Sequence, residues 1–400
     1  MYAERIKELK SSAIRDILKL TARPGMISLA GGLPAPEMFP LDALQTATAQ
    51  VLSRYGSTAL QYSITEGLIP LREKILKNLN GNAAHHTIDN VMITQGSQQA
   101  LELLAKLFID KATVVFTENP SYLGALQAFR LFQARIAAIP SDEDGIRTDA
   151  LREALRRQKP AFLYIMTNFQ NPTGVSLSLD RRHELLEIAK EHELLIIEDD
   201  PYGELVFEGE KLPSLYSLGR GENVVYLSTF SKTIAPGLRV AFAAASSEII
   251  GKLTMAKQGT DLQTNTLGQY IVNEYLESGR HQEHIDLIRR TYGARRDCML
   301  AALKKHLPGS TTWNRPRGGM FLWLAFPPGT DSKDLLLRCI EHNVAFVPGQ
   351  EFFPDGSGAH TARLNFSNAS LENIEEGIRR IGAVLRDTAG HAEEQPEMLL

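Results

Sequence analysis

The sequence is poor in cysteine and contains no long apolar run. Its 400 residues include two cysteines, Cys298 and Cys339, which lie in helix-like segments far apart and offer no metal-ligand spacing. So few cysteines suit a reducing compartment, and we expect a cytoplasmic protein. No apolar run approaches the roughly 20 residues that a membrane helix needs. The charged N-terminal stretch MYAERIKELK also lacks the apolar core of a signal peptide.

The fingerprints of two nucleotide-binding classes are missing as well. The chain has no GxxxxGK(S/T) phosphate loop and no GxGxxG segment after an apolar run, so ATP and dinucleotide binding lack their usual sequence support. A net charge of -4 argues against a nucleic-acid or membrane-surface partner. Hydrophobic residues at 43% and charged residues at 22% are ordinary for a globular enzyme.

From about residue 90, short apolar runs alternate with segments of helical period. The seven runs are VMIT, TVVFT, ARIAAI, AFLYIMT, LLIIED, VVYLST and RVAFAAA. Apolar strands separated by helices predict an α/β fold, with a mostly parallel seven-stranded sheet flanked by helices. We assign this large domain to residues 41–295 and a small α/β domain to residues 296–400. Residues 1–40 are too few to fold alone, and we expect them to pack with the small domain.

Polar residues follow the predicted strands, where a parallel sheet gathers its functional side chains. They are Ser97, Gln98, Tyr122, Asn171, Asp199, Asp200, Tyr202, Thr229, Ser231, Lys232 and Arg239. Taken singly, each has a structural alternative; the stretch 96–98, for example, could be an ordinary helix cap. Lys232 and Arg239 lie between two apolar runs, however, and cations are seldom buried without a partner. A lysine, a carboxylate and phosphate donors are together the inventory that holds pyridoxal 5′-phosphate (PLP).

Several motifs carry a family resemblance along nearly the whole chain. They are SAIRDILKLTARPG, GGLPAPEMFP, QYSITEG, QNPTG, EDDPYGEL, STFSK and GLRVAF. With them the chain resembles the fold-type I, PLP-dependent aminotransferases of class I/II, and within these the 2-aminoadipate and kynurenine/aminoadipate branch. The resemblance implies a ping-pong transfer of the amino group from a 2-aminoadipate, aromatic or branched-chain L-amino acid to a 2-oxo acid such as 2-oxoglutarate. It also implies the roles of individual residues.

By this resemblance Lys232 binds PLP covalently and then serves as the base that moves the substrate proton. Asp199 pairs with the pyridine nitrogen, because the family's aspartate precedes its tyrosine by three residues and Tyr202 fits that spacing. Asn171 and Tyr202 bind the phenolic oxygen of PLP, and Tyr122 stacks on the ring.

The resemblance also assigns the phosphate and substrate contacts. The phosphate of PLP is bound by Ser97, Gln98, Thr229, Ser231 and Arg239. Tyr62 resembles the tyrosine that reaches the phosphate in the neighbouring subunit, which implies a homodimer with shared active sites. The substrate contacts are assigned to Arg363 for the α-carboxylate, Arg15 for an acidic side chain, Gly32 for a close backbone approach, and Asn171.

Two alternatives of other classes share this fold. One is the PLP-binding sensor domain of a transcription regulator, which would carry an additional DNA-binding domain. The aminotransferase pattern starts near residue 11, so we expect no such domain and no nucleic-acid partner. The other alternative is a PLP lyase or racemase, which the fold by itself does not distinguish from a transferase.

Overall fold

The computed structural model describes residues 2–7, 23–80 and 86–393. The helices are α1 (Glu4–Lys7), α2 (Leu41–Ala59), α3 (Ile69–Asn80), α4 (Ser97–Phe108), α5 (Leu123–Leu131), α6 (Thr148–Arg157), α7 (Leu179–Glu191), α8 (Leu215–Leu218), α9 (Ser247–Gln258), α10 (Thr266–Glu277), α11 (His281–His306), α12 (Ser332–Glu341) and α13 (Leu371–Glu393). The strands are β1 (Ile27–Ser28), β2 (Val91–Thr94), β3 (Val114–Asn119), β4 (Arg135–Asp142), β5 (Gly145–Ile146), β6 (Leu163–Ile165), β7 (Ile196–Asp199), β8 (Val224–Thr229), β9 (Ala241–Ala244), β10 (Thr312–Trp313), β11 (Phe321–Ala325), β12 (Val344–Ala345), β13 (Val347–Pro348) and β14 (Thr361–Asn365).

The large sheet has the strand order β2-β9-β8-β7-β6-β3-β4-β5. Strands β8, β7, β6, β3 and β4 pair in parallel, whereas β9 is antiparallel to both of its neighbours. All seven predicted strands are present, and the predicted α/β class is confirmed. The eighth strand, β5, is a two-residue strand that pairs antiparallel with β4. It is too short to produce the apolar run from which strands are predicted.

Both faces of this sheet are buried, which explains why its strands are apolar throughout. Side chains alternate between the faces along a strand. Met92 accordingly packs into one hydrophobic cluster and its neighbour Ile93 into a second. Ile197 and Ile196 divide between the same two clusters. Since helices cover each face, most residues in the middle of these strands are apolar, and the few polar ones, such as Thr117 and Glu198, are buried.

A second, antiparallel sheet has the order β10-β11-β14-β13. In it Arg363 of β14 lies between Trp323 and Val347. Strand β1 pairs in parallel with β12, Ile27 opposite Val344, so the segment before residue 40 is tied to the C-terminal part of the chain. The domain limits at 40/41 and 295/296 stay a prediction, and helix α11 runs continuously through the second of them.

None of the helices in the described ranges is long and apolar enough to cross a membrane.

Candidate active site

A cavity of about 440 Å³ lies at the carboxyl ends of the parallel strands. Twelve of the fourteen predicted site residues line it, namely Gly32, Ser97, Gln98, Tyr122, Asn171, Asp199, Tyr202, Thr229, Ser231, Lys232, Arg239 and Arg363. Of the other two, Tyr62 is 79% exposed and does not line the cavity, and Arg15 lies outside the described residues. The structure therefore brings together residues from positions 32 to 363 of the chain.

One end of the cavity is formed by the start of helix α4. Gly96 precedes the helix with φ 79° and ψ 161°, a conformation that is essentially restricted to glycine. A Cβ at this position would also lie 2.1 Å from Nη2 of Arg239, so the guanidinium of that exposed side chain would have to shift. No side chain caps the helix, and the Ser97 hydroxyl is buried without a hydrogen-bond partner among the described residues. Free donors at a helix N-terminus favour an anion.

The loop after β8 supplies further donors beside Ser97. The Thr229 hydroxyl donates to Oγ of Ser231 at 2.9 Å and accepts the Ser231 backbone N–H at 3.1 Å. A short 3₁₀ turn, Pro236–Leu238, ends at Arg239, whose left-handed backbone (φ 55°) turns the chain into β9. The Arg239 guanidinium donates to the carbonyl oxygen of Gln95 at 3.2 Å. Hydroxyl, guanidinium and helix N–H donors thus converge on one end of the cavity.

Asp199 ends strand β7 inside the cavity. Its Oδ2 accepts a hydrogen bond from the Tyr164 hydroxyl at 2.8 Å, and its Oδ1 is buried without a partner in the described part of the chain. Burial raises the pKa of the Asp199 carboxyl to about 7, an effect that the Tyr164 hydrogen bond opposes and the neighbouring Asp200 reinforces. Asp200 does not line the cavity; its Oδ2 accepts from the Tyr226 hydroxyl instead. The two adjacent carboxylates therefore face different surroundings.

Lys232 projects into the same cavity. Its Nζ donates to the carbonyl oxygen of Gly32 at 3.1 Å. Burial, together with the charges of Arg363 and Arg239, lowers the pKa of the Lys232 amine to about 8. Near neutral pH this lysine consequently exchanges its proton far more readily than an exposed lysine, as a nucleophile or base must.

Arg363 is fully buried and is held on several sides. Its guanidinium donates to Oδ1 of Asn171 and to the carbonyl oxygen of Ala30, each at 2.7 Å. The Phe321 and Phe352 rings lie over it, with centroids 4.3 and 5.0 Å from Cζ. Burial lowers the pKa of Arg363 to about 10, and its Nε has no partner in the described ranges. A buried, fixed guanidinium with an open N–H is suited to a carboxylate.

The charges of the cavity are unbalanced. Lys232, Arg239 and Arg363 donate to carbonyl and amide oxygens, which are neutral. Asp199 is the one carboxylate among the lining residues of this described cavity. Arg363 is buried and Lys232 is half-buried, whereas Arg239, expected to be buried, is exposed. Because a buried cation needs an anionic partner, the excess of positive charge indicates an anionic ligand.

The residues present fit PLP. The unpartnered Ser97 hydroxyl and the Arg239 guanidinium suit its phosphate, and the unpartnered Oδ1 of Asp199 suits the protonated ring nitrogen. The Lys232 amine, with its lowered pKa, suits the aldehyde. The open Nε of Arg363 is left for a substrate carboxylate. Each of these four groups suits a different part of the cofactor or the substrate, and all four line the same cavity.

Three residues that shape the site were not predicted from the sequence. Phe321 and Phe352 cover the Arg363 guanidinium, and Tyr164 holds Asp199. All three lie in or beside apolar runs, where an aromatic residue is normally core packing. The only sequence signal was Tyr164 itself, a hydroxyl inside a fully buried strand, since such a group requires a partner.

Known proteins resemble this chain over almost its full length. The family described as aminotransferase class I and II matches residues 25–381. The chain is 46% identical to the 2-aminoadipate transaminase of Thermus thermophilus, with 94% of each protein covered. It is 40% identical to aromatic-amino-acid aminotransferase 1 of Thermococcus litoralis, with 96% of this chain and 94% of that protein covered.

A solved structure has the same fold. It is LysN, an alpha-aminoadipate aminotransferase of Thermus thermophilus, complexed with N-(5′-phosphopyridoxyl)-L-leucine. The TM-score is 0.91 at 43% identity, with 98% of both chains covered. The predicted resemblance to the fold-type I aminotransferases and to their aminoadipate branch is confirmed, and so is PLP as the cofactor. The chain therefore belongs to the aminotransferase class I and II family and is a PLP-dependent enzyme that transfers amino groups.

Proposed function

We propose that the enzyme takes its amino group from 2-aminoadipate, aromatic or branched-chain L-amino acids and passes it to a 2-oxo acid, with 2-oxoglutarate as the principal acceptor. The observation that carries this proposal is the placement of Lys232, Asp199 and Arg363 around one cavity. The names of the 2-aminoadipate and aromatic relatives support the donor classes. The leucine-derived ligand in the LysN structure supports the branched-chain class.

Bound PLP supplies an electron-accepting ring that makes the proton on the substrate Cα more acidic. Lys232 would hold the cofactor covalently through Nζ, and the same Nζ would serve as the base that takes up the proton from the substrate Cα. A pKa of about 8 leaves a substantial fraction of this amine unprotonated near neutral pH, as a general base requires. Asp199 holds its negative charge toward the ring nitrogen, and Asn171 and Tyr202 bind the phenolic oxygen.

Arg363 binds the α-carboxylate of every substrate in this proposal. Its guanidinium is already fixed by Asn171, Ala30 and two phenyl rings, so binding orders few additional groups. A fixed carboxylate in turn fixes the orientation of the Cα–H bond relative to the base. Gly32 lies at the substrate end, where its carbonyl contacts Lys232. Arg15, outside the described residues, stays the predicted partner of an acidic side chain.

The phosphate site follows from the donors at the other end of the cavity. Ser97, Thr229, Ser231 and Arg239 line it together, at the N-terminus of α4. Gln98 also lines it, although its Nε2 donates to the carbonyl oxygen of Gly124 at 2.9 Å. Tyr122 stands at the start of α5 beside the ring position.

A homodimer with shared sites is the assembly we propose. Leu60, Tyr62, Ile64, Ile69 and Leu262 are all exposed large hydrophobic residues. Leu262 lies near Tyr62 and Ile64, because the Ser63 backbone N–H contacts Oε1 of Gln263. An exposed apolar surface of this kind is typical of an interface between subunits. A second copy bound to this surface would bring Tyr62 to its neighbour's cavity.

The compartment that we propose for the enzyme is the cytoplasm.

A donor screen tests the proposal. The PLP-loaded enzyme is mixed with one amino acid at a time, and the absorbance of the bound cofactor and the released 2-oxo acid are followed. We expect stoichiometric 2-oxo acid from 2-aminoadipate, phenylalanine and leucine, and recovery of the starting absorbance when 2-oxoglutarate is added. Ammonia release or loss of optical purity without 2-oxo acid formation would contradict amino transfer and favour a lyase or a racemase.

A further inference from the structure

The Asp199 carboxylate has one occupied and one open oxygen. Oδ2 accepts the Tyr164 hydroxyl at 2.8 Å, whereas Oδ1 is buried and has no partner among the described residues. Asp199 lines the cavity, and Tyr164 does not. The tyrosine thus reaches the carboxylate from inside the protein, on the side away from any ligand.

Tyr164 is placed by strand β6 in the centre of the sheet. It is fully buried, and it lies opposite Ile197 in the parallel pairing of β6 with β7. Its ring packs edge-to-face with Phe129, at 5.6 Å between centroids. The ring position is therefore fixed by packing, which presents the hydroxyl to Asp199.

We propose that Tyr164 is a positioning residue that keeps Asp199 ionised and fixes its rotation, so that Oδ1 remains free for the ring nitrogen of PLP. This inference rests on the proposed role of Asp199. Tyr164 contacts neither cofactor nor substrate in this proposal. It nevertheless helps to keep the ring nitrogen of PLP protonated.

The groups around Asp199 explain why such a donor is needed. Burial and the adjacent Asp200 both favour the protonated carboxyl. The phenols of Tyr122 and Tyr202 also face it, and the cations Lys232, Arg239 and Arg363 share its cavity. The Tyr164 hydrogen bond is the direct contact that favours the carboxylate. Burial and Asp199 raise the pKa of Tyr164 well above its usual value, so the phenol remains a donor at any working pH.

The chain offers a matched control. Tyr226 of β8 is also buried, and its hydroxyl donates to Oδ2 of Asp200 at 3.1 Å. Asp200 lies one residue from Asp199 but does not line the cavity. Tyr226→Phe therefore removes the same kind of hydrogen bond from the same kind of environment, without touching the carboxylate that faces the cofactor.

The test loads the full-length enzyme with PLP labelled with ¹⁵N in its ring and records the ring-nitrogen chemical shift. Without the phenol, the proton shared by Asp199 and the ring moves toward Asp199. We expect Tyr164→Phe to shift this equilibrium about tenfold toward the unprotonated ring, a free-energy change of about 1.4 kcal/mol. Tyr226→Phe is expected to leave the signal in place. In the same variants kcat should fall for Tyr164→Phe with little change in KM.

A wild-type ring signal in Tyr164→Phe would overturn the inference, provided that Asp199→Asn moves the signal. If Asp199→Asn leaves it in place too, the role of Asp199 itself is wrong, and the inference falls with it. Should Tyr164→Phe bind PLP poorly, the cofactor-free protein gives a second measurement. There the infrared band of the Asp199 carboxyl, identified by its loss in Asp199→Asn, should titrate at higher pH in Tyr164→Phe, and an unchanged titration would contradict the proposal.

Discussion

Gly96→Ala is the perturbation whose consequence follows most directly from the structure. The backbone at Gly96 lies in a region essentially restricted to glycine, which costs any other residue about 1–3 kcal/mol. In addition, the new Cβ would lie 2.1 Å from Nη2 of Arg239. No real contact is that short, so either the guanidinium or the start of α4 must move away from the phosphate site.

The magnitude follows from the hydrogen bond that we propose between the Arg239 guanidinium and the phosphate. A hydrogen bond to a charged group contributes about 1.5–3 kcal/mol. Displacing the guanidinium should therefore weaken PLP binding by about ten- to a hundredfold. The unfolding free energy of the cofactor-free protein should fall by about 1–3 kcal/mol. The dissociation constant is measured by titrating the cofactor-free protein with PLP, and the stability by urea unfolding.

Gly237→Ala is the matched control. Gly237 belongs to the same loop as Arg239, and a Cβ added to it would meet nothing within 4 Å. It should bind PLP like the wild type. If Gly96→Ala also bound PLP with unchanged affinity, the phosphate would not lie between α4 and Arg239, and this part of the site would be wrong.

Three further predictions address the carboxylates, the lysine and the second subunit. Asp199→Ala should slow the half-reaction with an amino acid by about a hundredfold or more while weakening PLP binding far less, and Asp200→Ala should be milder; the reverse order in single-turnover rates would mean that the wrong carboxylate is paired with the ring. In the cofactor-free protein, Lys232 loses its proton near pH 8 when folded but near 10.5 in an exposed chain, so its contribution to stability rises between pH 8 and 10.5. The advantage of Lys232→Met over the wild type in unfolding free energy should thus fall by about 3 kcal/mol from pH 8 to pH 10.5, and an advantage that did not change over this range would contradict this pKa. Inactive Tyr62→Ala and Lys232→Ala subunits, mixed and re-formed as dimers, should regain roughly a quarter of the wild-type activity if each site takes one residue from each subunit, whereas no recovery would place Tyr62 outside the neighbouring site.

The sequence was sufficient to predict the sheet and most of the cavity, because both depend on local patterns. The apolar runs become β2 to β4 and β6 to β9, and the polar residues at their ends meet at one edge. What could not be predicted depends on distant contacts. Arg363 meets Asn171 across 192 positions, and Phe321 and Phe352 cover it only after the second sheet has formed.

Tyr164 and Tyr62 show two different reasons why a contact cannot be predicted from the sequence. Tyr164 is indistinguishable from a core residue until its hydroxyl is seen to contact Asp199, 35 positions away. Tyr62 is exposed in a single chain, so the role that we propose for it depends on a second copy. The contact of Tyr164 depends on tertiary packing, and the proposed contact of Tyr62 depends on assembly. Neither contact can be derived from the local sequence pattern.

Lys232 is the lysine that we expect to hold PLP. Its most direct test is borohydride reduction of the PLP-loaded enzyme, followed by peptide mapping of the fixed cofactor by mass spectrometry. We expect the label on Lys232, with no label in Lys232→Ala, although the phosphate donors should still let that variant bind PLP noncovalently. Label on any other lysine in the wild-type enzyme would contradict the account.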